Sequence, residues 1–245
     1  MIYDPDKHTS GLNLTNPIYS NEATEINKSL KELNISDIQR IMKLSLNLAN
    51  KTKIDINEFT DEFSGYPAIS YFSGDIYKGL RKIKWQKQDY IYATENLAII
   101  SGLYGYLRPL DIIKKYRLEM GYKLKVKNKE NLTNYWHNRI SNQLESADVI
   151  FNLLSFEYSK AILPLKNNPL IIHPYFFNKQ SNGEMKFITR ETKIARGLMA
   201  SWLIKNQIKT IDEMQNFNLE GYHYEDDYLN QKTNPIFSKK SVIKR

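Results

Sequence analysis

The sequence predicts a mixed α/β fold in which helices surround a central sheet of roughly five to seven strands. Residues 191–207 place apolar side chains on one face of a helix, whereas residues 148–155 form a short apolar run of the buried-strand type. Residues 169–177 and 184–190 are two further strand-like segments, and the Ser-Asn-Gly sequence between them signals a turn. A chain of 245 residues fits one large domain or two intimately packed lobes, and no internal repeat, low-complexity block or flexible linker divides it.

The N-terminal part of the chain predicts two helices joined by a short loop. Ser20 or Asn21 can cap a helix that runs to residue 33, and Ser36 with Gln39 has the spacing of a capping box for a second helix. Each predicted helix repeats apolar residues at intervals of three and four, so each buries one face. We interpret the pair as a helical hairpin that serves as packing scaffold.

The composition excludes several kinds of redox chemistry. The chain contains no cysteine, so it has no disulfide, no thiolate nucleophile, no thiol peroxidase centre and no zinc–thiolate or iron–sulfur ligands. Hydrophobic residues make up 41% of the chain, a globular value, and no apolar run reaches the ~18 residues needed to span a membrane. No signal peptide is visible, so a cytoplasmic protein without a membrane partner is expected.

The positive charge is concentrated in the middle of the chain. The formal net charge is +8, and residues 101–200 hold 16 Lys plus Arg against 8 Asp plus Glu, so the flanking regions sum to zero. A basic middle is typical of proteins with phosphate-bearing partners such as nucleic acid or nucleotides. The alternative interpretation is a set of solvated lysines without a partner.

The stretch around which the chain is organised is residues 100–121, ISGLYGYLRPLDIIKKYRLEMG. It holds two glycines three residues apart, an Arg-Pro pair and a second arginine close to a glutamate, and it follows a predicted helix over residues 89–100. This order is loosely similar to a helix-hairpin-helix element, in which backbone N–H groups bind a phosphate. The glycine spacing differs from that element and Pro109 breaks a second helix, so a glycine-rich core turn is the alternative.

Basic and acidic residues flank this stretch on both sides. Residues 67–72 predict a strand, and Asp75 follows it where site carboxylates often stand, although an aspartate there also forms caps and turns. The basic run 78–87 surrounds Trp85, a pattern that could bind single-stranded nucleic acid through phosphate contacts and a stacking ring. The alternative is a solvated helix face with one buried Trp. In residues 123–129, KLKVKNK, alternation predicts a strand with four lysines on one face, a pattern that also protects edge strands.

The central stretch closely resembles the signature of the YaaA family (UPF0246), which is associated with bacterial peroxide stress. Further matches to the family follow in order: GDIYKGL (74–80), NYWHNRI (134–140), NLLSFEYSKAI (152–162), KIARGLMASWLI (193–204) and FNLEGYHY (217–224). The resemblance implies a single compact domain over residues 1–245 with a basic groove. The chain departs from the family at residues 4–8, where Asp-Pro-Asp-Lys-His replaces Ser-Pro-Ala-Lys-Thr and only Pro5 and Lys7 fit.

Two further groups of site candidates rest partly on this resemblance. Polar residues at the end of an apolar strand are how α/β proteins build sites, and the motif after residues 148–155 supplies Asn152, Ser155, Glu157, Tyr158 and Lys160. Arg196 is predicted near the start of the helix over 191–207, where a cation opposes the helix dipole unless an anion offsets it. Arg196 is therefore a candidate anion-binding residue.

Two functions remain open from the sequence. In the first, a cytoplasmic stress protein binds DNA without sequence preference through these residues: Ser101, Gly102, Tyr104, Gly105, Arg108, Lys114, Lys115, Arg117, Asn152, Ser155, Tyr158 and Arg196. In the second, an enzyme acts on a small phosphorylated or carboxylated substrate in the same cleft, with the catalytic candidates Lys7, Asp75, Glu119, Glu157 and Lys160. The expected partner is DNA or a small phosphate-bearing ligand. No cofactor and no metal are expected, and the protein is expected to be a monomer.

Overall fold

The structure is a computed structural model that describes residues 11–60, 64–226 and 233–240. The chain divides into two compact units. Unit 1 takes in the residues up to Phe72 together with Ala93–Ser146 and Ser155–Asn167, whereas unit 2 takes in Ser73–Tyr92, Ala147–Leu154 and the residues from Asn168 onward. The single domain expected over the whole chain stays a prediction.

Helices and strands alternate along the described ranges. The helices are α1 (Ser20–Lys31), α2 (Ile35–Met42), α3 (Leu46–Asn57), α4 (Ala68–Tyr71), α5 (Asp75–Leu80), α6 (Lys87–Asn96), α7 (Leu132–Leu144), α8 (Phe156–Ser159), α9 (Thr189–Lys205) and α10 (Ile211–Met214). The strands are β1 (Tyr66–Pro67), β2 (Ile99–Ser101), β3 (Gly105–Leu107), β4 (Ile112–Ile113), β5 (Val149–Phe151), β6 (Leu170–Ile172), β7 (Tyr175–Lys179), β8 (Met185–Lys186), β9 (His223–Tyr224) and β10 (Ile236–Lys240). Most elements are short, so tertiary packing carries much of their stability.

The N-terminal helices of unit 1 confirm the two that the sequence predicts. Helix α1 buries Ala23, Ile26 and Leu30 on one face. Helix α2 is capped by Asn34, whose side chain accepts a hydrogen bond from the backbone amide of Asp37 at 2.9 Å, so the cap stands two residues before the predicted one. The left-handed residue that follows α2 ends this helix, and α3 then begins separately at Leu46.

The remainder of unit 1 is built on small antiparallel pairings and helix α7. Strand β1 pairs with β4, and β2 pairs with β3 so that Ser101 stands opposite Gly105. Trp136 and Ile140 of α7 are fully buried. This helix therefore supplies the bulk against which the β2–β3 hairpin packs, and the central stretch lies within the core of unit 1.

Unit 2 combines a mixed sheet with the long helix α9. The sheet has the order β8-β7-β10-β9, and only its β7–β10 pair is parallel. Phe176 and Phe237 from the sheet are buried together with Leu198 and Met199 from α9. Strands β5 and β6 form a separate parallel pair, and the strand predicted over residues 169–177 is interrupted at Pro174, which has no amide hydrogen for a ladder.

The mixed α/β class is confirmed, but the sheets are smaller than predicted. In the described ranges, the strands form one four-stranded sheet and three two-stranded sheets instead of one sheet of five to seven strands. Residues 67–72 are not a strand beyond Pro67, because the amides of Ala68 and Ile69 donate to Asp111 and Pro109 and a helical turn follows. Residues 123–129 also lack a strand, because Val126 and Lys129 bond to each other across a tight turn.

Among the residues that the structure describes, no helix is both long enough and apolar enough to cross a membrane.

Candidate functional site

The glycine-rich part of the central stretch is a buried β-hairpin. Ser101, Leu103 and Tyr104 are each less than 5% exposed. The Ser101 hydroxyl accepts hydrogen bonds from the backbone amides of Leu103 and Tyr104 at 3.2 and 2.9 Å, so these two amides are used inside the hairpin. They cannot reach a phosphate without breaking the turn that they stabilise.

The two glycines of the hairpin are required by packing. Gly105 has φ +67°, and a Cβ atom there would lie 2.3 Å from the ring of Trp136. A Cβ atom on Gly102 would lie 2.4 Å from the carbonyl oxygen of Leu118, and the Gly102 carbonyl accepts a hydrogen bond from Trp136 Nε1 at 2.9 Å. The structure shows no helix-hairpin-helix element in this part of the described chain, because β2 and β3 form a β-hairpin, and this packing favours the alternative of a glycine-rich core turn. Phosphate binding by Ser101, Gly102, Tyr104 and Gly105 stays a prediction.

Arg108 is held by a buried carboxylate. Asp111 is fully buried, and its carboxylate accepts hydrogen bonds from the backbone amide, Nε and Nη2 of Arg108 at 2.7, 3.1 and 2.8 Å. Thr15 donates to the same carboxylate at 2.7 Å. Because its charge is already paired, Arg108 is a cation that fixes the chain, and it is a weaker candidate for a phosphate than the sequence indicates.

Lys114 lines a cavity of about 220 Å³ in unit 1. Its Nζ atom donates to the hydroxyls of Thr60 and Ser64 at 2.6 and 3.1 Å, and its backbone amide donates to the hydroxyl of Tyr104 at 3.1 Å. Burial raises the pKa of Tyr104 to about 12, so its hydroxyl stays protonated. Lys115 differs from Lys114 because it forms an ion pair with Asp55 at 2.8 Å.

The end of the central stretch meets helix α8, as the sequence leads us to expect. The hydroxyl of Tyr158 donates to the carboxylate of Glu119, and Glu157 accepts a hydrogen bond from the backbone amide of Gly121 at 2.7 Å. Burial, followed by the charge of Glu119, raises the pKa of Tyr158. Two carboxylates, a phenol and a glycine amide therefore lie together in unit 1.

Neighbouring candidates take positions that the sequence does not foresee. The carboxylate of Glu119 accepts a hydrogen bond from Tyr158, and among the described residues no ion pair joins it to the nearby Arg117. Arg117 is half-buried and interacts electrostatically with Tyr122. The Nζ atom of Lys160 lies 4.4 Å from the ring centroid of Phe156, a side chain that is 77% exposed. Ser155 is the N-cap residue of α8, but its side chain forms no capping hydrogen bond.

Three candidates lie in unit 2, and one lies outside the described residues. Asp75 pairs with Lys78 at 2.8 Å, and this hydrogen bond lowers the pKa of the carboxylate. Asp75 thus starts α5 as a helix-end acid, the turn-forming role that the sequence also allows. Asn152 is buried directly after β5, and its side chain accepts a hydrogen bond from the amide of Leu154 at 3.1 Å. Lys7 belongs to the undescribed N-terminal residues.

Arg196 is a candidate for a different reason from the one that the sequence suggests. Helix α9 begins at Thr189, so Arg196 stands two turns into the helix, beyond the reach of the dipole. Its Nε atom is nevertheless buried without a hydrogen-bond partner among the described residues. The sequence reasoning missed His173, which follows the apolar strand β6 and whose pKa is lowered by burial and by Arg196. The rule that identifies Asn152 also identifies His173. The place of Arg196 relative to the candidates of unit 1 stays a prediction.

Residues 123–129, called the lysine segment below, present charge on an anchored loop. Leu124 and Val126 are buried at 3% and 0% exposure, whereas Lys123, Lys125, Lys127 and Lys129 are exposed. The predicted alternation of faces is therefore confirmed, although the strand is not. Lys127 pairs with Glu25, and Lys125 lies 3.7 Å from Glu130.

These features define a mixed α/β protein with a buried central hairpin, a lysine-rich loop and polar clusters at strand and helix ends. The chain belongs to the family described as peroxide stress protein YaaA, whose model matches residues 2–228. A UPF0246 protein of Clostridium beijerinckii is 35% identical over 93% of this chain and 91% of its own. One from Crocosphaera subtropica is 36% identical over 89% of each chain, and one from Marinomonas sp. is 38% identical over 90% of this chain and 87% of its own. The family resemblance is confirmed.

Proposed function

We propose that this member of the peroxide stress family binds duplex DNA without sequence preference, and that the lysine segment is its main contact with the phosphate backbone. The observation that carries the proposal is the anchoring of the segment by Leu124 and Val126. Buried anchors hold the lysines on the outside of unit 1, where they can neutralise phosphates without reordering the chain. Because the chain has no cysteine, its part in peroxide resistance is indirect.

The charge state of the segment supports this role. Lys123 and Lys129 have no carboxylate within ion-pair distance in the described part of the chain, and Lys125 has only the long contact with Glu130. Side chains of this kind lose little when they exchange water for phosphate, and each contact gains affinity by releasing a counterion. Binding of this type reads no base edges, so it has no sequence preference.

A charge-removal series tests the proposal by fluorescence anisotropy on a duplex oligonucleotide. The triple variant carries Lys123→Gln, Lys125→Gln and Lys129→Gln, and the matched control carries Lys28→Gln, Lys31→Gln and Lys51→Gln, three exposed lysines of α1 and α3. The slope of log affinity against log salt is about 0.9 for each phosphate neutralised. We expect the triple variant to lose roughly 2 to 3 from this slope and the control to lose none. Equal losses in both variants would refute the proposed contact.

Removing the acid beside the segment has the opposite expected effect. Hydrogen bonds from Lys127 and Tyr135 lower the pKa of Glu25, so Glu25 is ionised at neutral pH and holds Lys127. The variant Glu25→Gln keeps the size of the side chain and releases this lysine. We expect DNA affinity to rise a few-fold and the salt slope to grow by up to about 0.9. Unchanged or weaker binding would show that Lys127 takes no part.

A second candidate function, action on a small phosphorylated or carboxylated ligand, is favoured by the cavity at Lys114. An ammonium group that bonds only to hydroxyls in the described residues keeps its charge available to an anion, and Tyr104 adds a protonated hydroxyl nearby. Saturation of wild type and Lys114→Met with inorganic phosphate and with acetate, followed by calorimetry, tests this candidate. Binding that survives the substitution would place the anion elsewhere.

A further inference from the structure

Arg196 in unit 2 has a buried donor that the fold leaves unused. Its guanidinium is half-buried, its Nε atom has no hydrogen-bond partner in the described residues, and burial lowers its pKa. An unsatisfied buried donor on a charged group is unfavourable, and native structures keep few of them without a reason. An oxyanion bound at the accessible part of this half-buried guanidinium stabilises its charge, because a guanidinium can donate to two oxygens of a phosphate.

The groups around Arg196 come from the segment that joins β6 to β7. Burial and then the charge of Arg196 lower the pKa of His173, and Tyr175 offsets part of the lowering that burial causes in the pKa of Arg196. Their backbone amides donate to Thr233 and to Pro235 at 2.7 and 2.9 Å, which fixes the segment. His173 also stands at the carboxyl end of the parallel pair β5–β6, the edge at which open α/β sheets bind their ligands. The position therefore suits a small ligand.

A row of aromatic rings begins at the same place. Tyr175 is 41% exposed and stacks on Phe177, with ring centroids 6.4 Å apart and an interplanar angle of 16°. Phe187, which is 52% exposed, meets Phe177 edge to face at 6.4 Å. Tyr175 and Phe177 share one face of β7, opposite Phe176, which lies in the core. Exposed flat rings of this kind bind planar groups by stacking.

We propose that unit 2 contains a nucleoside monophosphate site in which Arg196 and His173 bind the phosphate and Tyr175 stacks on the base. An inorganic anion alone would leave the exposed rings unused, and an uncharged base alone would leave Arg196 unsatisfied. A ligand that joins a planar ring to a phosphate satisfies both. This site uses none of the residues of the lysine segment, so it can be tested independently of the DNA-binding proposal.

Calorimetry with three probes tests the site: adenosine 5′-monophosphate, adenosine and inorganic phosphate. We expect the monophosphate to bind at least tenfold more tightly than either of the other two. Arg196→Gln should weaken it at least tenfold, and Tyr175→Ala should reduce its affinity to that of inorganic phosphate. The matched control is Arg190→Gln, which removes an exposed arginine from the same helix and should leave binding unchanged.

A second readout separates binding from folding. Because Arg196 is buried without a partner, Arg196→Gln should keep or raise the melting temperature while it abolishes binding, which a structural arginine would not do. The ring signals of His173 in NMR spectra of the wild type should shift when the monophosphate is added. Equal affinities for the monophosphate and inorganic phosphate, loss of binding in Arg190→Gln, or a silent His173 would each overturn the proposal.

Discussion

The variant Gly197→Ala should be destabilised by about 3 kcal/mol or more, a loss at the upper end of overpacking effects. Helices α5 and α9 touch through their backbones, and a Cβ atom on Gly197 would lie 1.7 Å from the carbonyl oxygen of Ile76. In an ordinary helix interior the same change gains about 1 kcal/mol from helix propensity. The overlap outweighs this gain because the atom that must move belongs to the backbone of α5. Thermal unfolding followed by circular dichroism measures the effect.

The control for this prediction is Gly74→Ala at the start of the same helix pair. Gly74 has φ −63°, and nothing lies within 4 Å of a Cβ atom built there, so the melting temperature should stay near that of the wild type. For a chain of this size, 3 kcal/mol corresponds to a fall of about 6 to 12 °C. Melting temperatures that are equal for the two variants would contradict the close approach of α5 and α9.

Asp111→Ala should destabilise unit 1 by about 3 kcal/mol, because it removes the partner of a charge within the core. The carboxylate is fully buried and binds Arg108 and Thr15. The Arg108 side chain is 30% exposed, so water partly compensates the guanidinium and the effect falls at the lower end of the 3 to 5 kcal/mol seen for broken buried pairs. Chemical denaturation at constant salt gives the free energy of unfolding.

Asp37→Ala is the matched control, since Asp37 and Arg40 form a pair with the same spacing on the surface of α2. Their side chains are 33% and 71% exposed, and such pairs contribute little to folding. We therefore expect the denaturation midpoint of this variant to stay close to that of the wild type. If Asp111→Ala lowered the free energy of unfolding as little as Asp37→Ala does, the Arg108–Asp111 pair would not hold the central stretch in place.

Helical periodicity predicts α1, α2 and α9, because a helix that buries apolar side chains repeats them at intervals of three and four residues. The role of the central stretch is harder to predict. A glycine in the sequence does not reveal whether it frees the backbone for a ligand or makes room for a neighbouring side chain. Gly105 does the second, and its neighbour is Trp136 of α7, which is remote in sequence. Pairing at this distance leaves no local pattern from which the role can be predicted.

The candidate sites show the same division between local and remote information. Their residue types follow from position at strand and helix ends, which is how Glu157 and Asn152 are found. The partners of these residues cannot be predicted in this way. The bond of Tyr158 to Glu119 and the unpaired donor of Arg196 depend on packing between segments that are remote in sequence. The alternation of residues 123–129 is an intermediate case. It predicts which side chains are buried, but the tight turn at Val126 replaces the expected strand.

We propose that the lysine segment, and not the buried hairpin, is the surface that meets DNA. Lysine acetylation with mass-spectrometric detection, performed with and without a duplex oligonucleotide at low salt, tests it directly. We predict that DNA lowers acetylation of Lys123, Lys125 and Lys129 several-fold while Lys28 and Lys51 react as before. Protection confined to Lys114 and Lys115, close to the hairpin, or no protection while DNA is bound, would contradict the claim.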